Sequence, residues 1–186
     1  MITTESGSGE PLQNATIYTV QVRAVNAAGA GLASDSELAA PQSAPEAPTT
    51  PTVAPGAGSP TLTFTPGSDG GSAITELEYR VDGGVWQTAG SIGSPLTITG
   101  LTNGTEYDVA VRLRNAIGAG ASSATVSGTP SGLPGVPTAV TGVAHDGRVT
   151  VAWSAPASNG GTPIDEYSVS AYAQAAGGSS VATCST

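Results

Sequence analysis

The chain has 186 residues, 5 Lys plus Arg against 14 Asp plus Glu for a net charge of −9, 38 % hydrophobic residues, 4 % aromatics, 26 Gly and 14 Pro. All five basic residues are arginines, so no lysine track exists to neutralise phosphates, and neither nucleic-acid binding nor adhesion to an anionic membrane is expected. No run approaches the roughly 18 apolar residues of a membrane span, and the frequent Gly and Pro cut the apolar residues into short segments, which favours many strands over helices.

In chain order, Met1-Ile2-Thr3-Thr4-Glu5-Ser6-Gly7 has neither the basic nor the apolar region of an export signal. Leu12 and the turn Asn14-Ala15-Thr16 lead into a predicted strand from Ile17 to Arg23. The Pro-rich joint Ala40-Pro41-Gln42-Ser43-Ala44-Pro45 follows; proline there favours an extended, fairly stiff connection. Leu77, Tyr79 and Val81 then alternate with Glu76, Glu78 and Arg80, the period of a half-buried strand. Asp82-Gly83 predicts a tight hairpin turn, because primed turns need positive φ. Leu96 and Ile98 alternate before Leu101. Tyr107, Val109, Val111 and Leu113 point to one side of the next strand, and Asp108, Ala110, Arg112 and Arg114 to the other.

The stretch Asn103-Gly104-Thr105-Glu106-Tyr107-Asp108-Val109-Ala110-Val111-Arg112 repeats Asn14 to Arg23 at an offset of 89 residues. The match takes in Leu12 and Leu101, and runs on through Asn26, Gly29, Gly31 and Ser34 to Asn115, Gly118, Gly120 and Ser123. A second match relates Pro45, Pro48, Leu62 and Phe64 to Pro134, Pro137, Val151 and Trp153. After one inserted residue, Gly70-Gly71 and Ile74 meet Gly160-Gly161 and Ile164. Self-similarity at a fixed period is the signature of an array. Residues 45–130 read as one complete repeat, residues 1–41 as the C-terminal half of a preceding one, and residues 133–186 as the N-terminal half of a following one. A second Pro-rich joint, Thr129-Pro130-Ser131-Gly132-Leu133-Pro134, separates the last two, and Asp146-Gly147 predicts a hairpin turn in the third copy.

Leu101 to Val111 with Asn115-Ala116-Ile117-Gly118-Ala119-Gly120 resembles the last strands of the fibronectin type III family. Val149-Thr150-Val151-Ala152-Trp153, with Pro156 and Gly160-Gly161, resembles its second strand. The resemblance implies an all-β, antiparallel, immunoglobulin-like sandwich in tandem modules. It also implies a tyrosine corner at Leu12 and Tyr18 and again at Leu101 and Tyr107, with Trp153 at the centre of a core. Phe64 stands where that tryptophan would be, and Leu77 where the third copy has Tyr167. No Arg-Gly-Asp tripeptide occurs, so integrin-type adhesion is not expected.

No cofactor, metal or catalytic set is expected. His145, beside Asp146, falls in a predicted turn with no nucleophile placed next to it. Glu76 and Glu78 lie two apart on one strand face, roughly 7 Å, near the separation of a glycosidase carboxylate pair. Arg80 continues that row, which reads as a solvated charge ladder. Asn14-Ala15-Thr16 and Asn103-Gly104-Thr105 fit the N-glycosylation pattern, and equally the turn before the tyrosine strand. Trp86, after the Asp82-Gly83-Gly84 turn, points outward if Val85 points inward, and is the best single contact candidate; the other reading, which the strand-forming habit of aromatics favours, packs it on its own sheet. Asn115 and Ile117, in the loop to Gly120, are the next.

The reading is a non-catalytic structural spacer or protein-interaction module of an extracellular or cell-surface bacterial protein. Such modules of high-GC bacteria share the lysine-free, Ala-, Gly-, Thr- and Pro-rich composition. The alternative is an accessory module of a secreted carbohydrate-active enzyme that contributes to polysaccharide binding. The partner is accordingly a protein or a polysaccharide. The two half-repeats are complementary, which leaves two readings: the sequence is part of a longer protein that supplies the missing halves, in which case Cys184 could pair with a cysteine there, or the halves pair between chains.

Overall fold

The computed structural model describes residues 9–172 and 180–185, and in them the alternating segments form fifteen strands and no helix. They are β1 (Tyr18–Val20), β2 (Val25–Asn26), β3 (Gly29–Ala30), β4 (Glu37–Ala39), β5 (Thr49–Ala54), β6 (Thr61–Thr65), β7 (Ile74–Val81), β8 (Gln87–Thr88), β9 (Leu96–Thr97), β10 (Tyr107–Asn115), β11 (Val126–Gly128), β12 (Thr138–His145), β13 (Arg148–Ser154), β14 (Ser168–Tyr172) and β15 (Ser180–Ser185). The chain divides into two compact units. One comprises Met1–Ala54, Thr61–Thr97 and Tyr107–Gly128, the other Pro55–Pro60, Ile98–Glu106 and Thr129–Thr186.

The first unit holds the two larger sheets, in the orders β5-β6-β9 and β11-β10-β7-β8. Every pairing in them is antiparallel. The period-2 pattern gives each a buried face. Leu62, Phe64 and Leu96 come from the three-stranded sheet and Leu77, Val109, Val111 and Leu113 from the four-stranded one, and all are at most 6 % exposed. Burial of each such side chain contributes about 1.5–3 kcal/mol. Phe64 is itself fully enclosed, so the core closes without the tryptophan of the third copy.

The same unit contains two small ribbons, β1 with β4 and β2 with β3. Val20 of β1 is half-buried, but most apolar residues in and beside these ribbons stay at the surface: Ile17, Val22, Val25 and Leu38 are each about 70 % exposed. In the second unit β12 pairs with β13 and β14 with β15. Val140, Val143 and Val149 are exposed there, while Val151 and Trp153 are half-buried.

The two hairpin turns differ. Asp82 and Gly83 both take positive φ, +50° and +66°, and the Gly84 N–H donates to the Val81 carbonyl, as a primed turn requires. At Asp146-Gly147 only the glycine does so, at +64°. A further repeat is invisible in the residue types. Thr50 and Ala139, 89 positions apart, both have positive φ, +49° and +52°, where the pairing of β5 with β6 and of β12 with β13 shifts register. A bulge at the same place in both copies bends each first strand.

Candidate interaction surface

The outer face of the four-stranded sheet gathers three of the chain's five arginines. Antiparallel register sets Arg112 of β10 opposite Glu78 of β7, Arg114 opposite Glu76, and Ala110 opposite Arg80. Arg112 Nε lies 2.6 Å from Glu78 Oε2, and Arg114 Nε lies 3.6 Å from Glu76 Oε2 and 3.7 Å from Glu78 Oε1. Trp86, just before β8, lies on the same face. The guanidinium carbons of Arg80 and Arg112 are 4.8 and 4.3 Å from its ring centroid, within the range of cation–π attraction.

Two expectations change here. Glu78 is not a solvated member of a charge row: it is 8 % exposed. It stands on a strand flanked by β10 and β8, with Arg112 drawn across it on one side and Thr88 opposite on the other. Val85 is not inward but 81 % exposed, and Trp86 is half-buried. The turn at Asp82-Gly83 delivers the tryptophan onto its own sheet, where two cations hold it. With both carboxylates bound to arginines, Glu76 and Glu78 are arranged as an ion-pair network and not as a proton donor beside a proton acceptor.

The Asn115 to Gly120 loop divides between inside and outside. Asn115, a contact candidate from the sequence, is 3 % exposed and wholly used by the fold. Its Nδ2 donates to the carbonyls of Ser43 (2.7 Å), Asp69 (2.8 Å) and Ser72 (3.4 Å), and its Oδ1 accepts from the Ile117 and Gly118 N–H groups. An amide with its donors and acceptor so occupied has nothing left for a ligand. Ile117 remains at the surface, 53 % exposed.

The remaining residues singled out in the sequence have local roles. The Gln13 N–H donates to the Tyr18 phenol oxygen at 2.9 Å, five residues upstream. Leu12, Tyr18, Leu101 and Tyr107 are half-buried, and the Leu101 N–H donates to Gly58 O. Asn103 Oδ1 accepts from the Gly58 N–H at 2.7 Å, so that side chain braces a turn. Trp153 and Tyr167 stack at 5.3 Å between centroids, tilted by 54°. With Pro137, Val140, Val151 and Val169 they line an apolar recess of about 190 Å³. His145 ends β12 opposite Arg148 and is exposed, as is the free Cys184 of β15. Among the described residues no three His, Cys, Asp or Glu side chains converge as a metal site would need.

The Trp86, Arg80, Arg112 and Glu78 cluster is the feature that strand-by-strand reading missed. Its one signal was the placement of Arg80 and Arg112 on the same outward face, on strands that the two-layer pattern makes neighbours.

The fibronectin type III domain family matches residues 46–129. Among solved structures, domains A168–A170 of titin align at 24 % identity over 51 % of this chain and 36 % of theirs, with a TM-score of 0.43. The twitchin kinase region from C. elegans aligns at 24 % identity over 49 % of this chain and 18 % of its own, with a TM-score of 0.42. The sixth fibronectin type III domain of human fibronectin type III domain containing protein 3 aligns at 27 % identity over 50 % of this chain and 94 % of its own, with a TM-score of 0.40. The chain thus spans well under two thirds of the titin and twitchin chains.

Proposed function

Because residues 46–129 form a fibronectin type III domain, a non-catalytic structural or interaction module, we propose that the chain is a spacer or protein-interaction segment of an exported, surface-located bacterial protein. The observation that carries this is the array: an 89-residue period in which one copy has a closed two-sheet core. The lysine-free, Ala-, Gly-, Thr- and Pro-rich composition supports the bacterial surface setting, where net negative charge keeps an extended polypeptide soluble. In intact cells of the source organism, externally added protease should remove this segment. Resistance in intact cells with cleavage only after lysis would refute the surface location.

The second reading, polysaccharide binding as an accessory module, is favoured by one observation. Trp86 keeps part of its indole at the surface beside polar side chains, the kind of platform on which a sugar ring stacks. Pull-down on insoluble polysaccharides discriminates. Retention that disappears in Trp86→Ala supports this second reading, and background retention of the unaltered chain dismisses it. The exposed apolar residues of the two flanking copies are further proposed to pair between molecules of the 186-residue polypeptide, each half-repeat covering the other. Light scattering should then show mass rising with concentration, and a monomer at high concentration would dismiss the pairing.

A further inference from the structure

The two joints between copies are built from the same set of bonds. At the first, the Ala15 N–H donates to Pro41 O (3.0 Å), Ser43 N–H to Gly70 O (2.9 Å) and Glu46 N–H to Ser68 O (2.9 Å). At the second, the Gly104 N–H donates to Pro130 O (2.9 Å), Gly132 N–H to Gly160 O (2.7 Å) and Gly135 N–H to Ser158 O (2.8 Å). Each bond recurs at the offset of the repeat, although Ala15, Ser43 and Glu46 are all glycine in the second set. Different residues making the same bonds indicate a built contact and not an accident of one linker.

The receiving loop is shaped identically at both places. Ser68 Oγ and Asp69 Oδ1 accept from the Gly70 and Gly71 N–H groups, and Ser158 Oγ and Asn159 Oδ1 from those of Gly160 and Gly161. These short side-chain turns present two glycines at positive φ, +69° and +85° in one joint and +76° and +94° in the other. The backbone of the preceding copy closes on them. A Cβ at Gly71 would lie 2.8 Å from Ala15 N, and one at Gly161 would lie 2.5 Å from Gly104 N. A Cβ at Gly70 would lie 2.5 Å from Ser43 O, and one at Gly160 would collide with Gly132 O.

We propose that this Asx-Gly-Gly turn is a docking surface whose partner is the turn preceding the tyrosine strand of the copy before it, Asn14-Ala15 and Asn103-Gly104. The linker is clamped on both sides of a single residue. Pro41 is bonded to the upstream turn and Ser43 to the downstream loop, leaving Gln42 between, and Gln42 Nε2 itself donates to Gly71 O at 2.9 Å. At the second joint Ser131 alone separates the anchors Pro130 and Gly132. Asn115 adds a further tie at the first joint by holding Ser43 O and Asp69 O with one amide nitrogen. A linker so held is a fixed connector and not a flexible tether, and it gives the spacer reading a defined joint.

Backbone ¹⁵N relaxation on the full chain tests this. Gln42, Ser43, Ser131 and Gly132 should have order parameters like those of β10, about 0.85, where a free linker falls below about 0.6. Gly71→Val with Gly161→Val should lower them to the free-linker range, while the amides of Val109, Val111 and Leu113 stay protected and so report an intact core. Should the glycine variants fail to fold, insertion of Gly-Ser-Gly between Gln42 and Ser43 reads the same contact with every native residue kept. Free-linker values in the unaltered chain overturn the proposal, and so do sheet-like values that survive the insertion. These readouts concern the joint alone, so their failure is separable from that of the surface location, which protease accessibility reports.

Discussion

The strand that begins at Tyr107 and the one that begins at Tyr18 share their pattern residue by residue, yet they do not share a structure. In the middle copy β10 runs nine residues, from Tyr107 to Asn115, and pairs on both sides. In the first copy β1 stops after three residues, at Val20, and among the described residues its ladder partner is β4. Val111 is 0 % exposed and its counterpart Val22 is 70 % exposed. Nothing in the local sequence accounts for this, since both are valines at the same phase of the alternation. The difference is the front half of the repeat: β10 lies beside β7 in a sheet whose unit also buries Leu62, Phe64 and Leu96, whereas among the described residues β1 is joined only to β4. Burial belongs to the assembled pair of sheets, and a strand's pattern only makes it eligible.

That contrast is open to direct attack by changing the same repeat position in both copies. The largest difference is expected at the core pair. Val111→Ala should cost about 2–3 kcal/mol through lost burial and the cavity left behind, read as a fall in the urea midpoint of tryptophan fluorescence. Val22→Ala should leave that midpoint unchanged in dilute solution, and a matching loss in dilute monomer would break the comparison. If the halves pair between molecules, Val22→Ala becomes costly only at concentrations where mass has risen.

Asparagine comes next. Asn115→Ala abandons three part-buried carbonyls and two N–H groups to which it is bonded, and should cost about 2–3 kcal/mol. Asn26→Ala loses the one bond it makes to the Ala28 N–H at 2.9 Å and should cost less than about 1 kcal/mol, measured on the same denaturation curves. Arg112→Ala strips the nearly buried Glu78 of its closest cation and should cost about 2 kcal/mol, moderated by Arg114 nearby. Its counterpart Arg23, exposed and beyond the end of β1, should be silent. The smallest effect is expected at Trp86. Trp86→Ala should cost about 1 kcal/mol from the two guanidinium contacts, read by far-UV circular dichroism because the variant removes the middle copy's tryptophan, and an unchanged midpoint would mean that these contacts do not hold the ring in solution.

Much of the middle copy was legible before any coordinates. Period-2 alternation named Leu77, Val109, Val111 and Leu113 as inward, and Asp82-Gly83 as a turn, because those readings depend on geometry within a few residues. The burial of Glu78 and the two cations on Trp86 were missed for one shared reason. Their surroundings are set by β10, some thirty residues further on, so the neighbour that draws an arginine across Glu78 and onto the indole does not appear in the strand that carries them. Asn115 was misread likewise: its place in a sandwich-end loop suggested a contact, and only the fold shows that its side chain is bonded to the backbones of residues 43, 69 and 72.

The sequence by itself determined the all-β class, the 89-residue period and the inward set of β7 and β10, because alternation, turn chemistry and self-similarity are local or additive properties of the chain. The tertiary structure decided which of those inward faces are closed, where cations and indole meet on the outer sheet, and that both joints close on paired glycines with no room for a side chain. Those outcomes depend on how distant segments approach one another, and two copies of one pattern come to differ as soon as one of them lacks its opposing sheet.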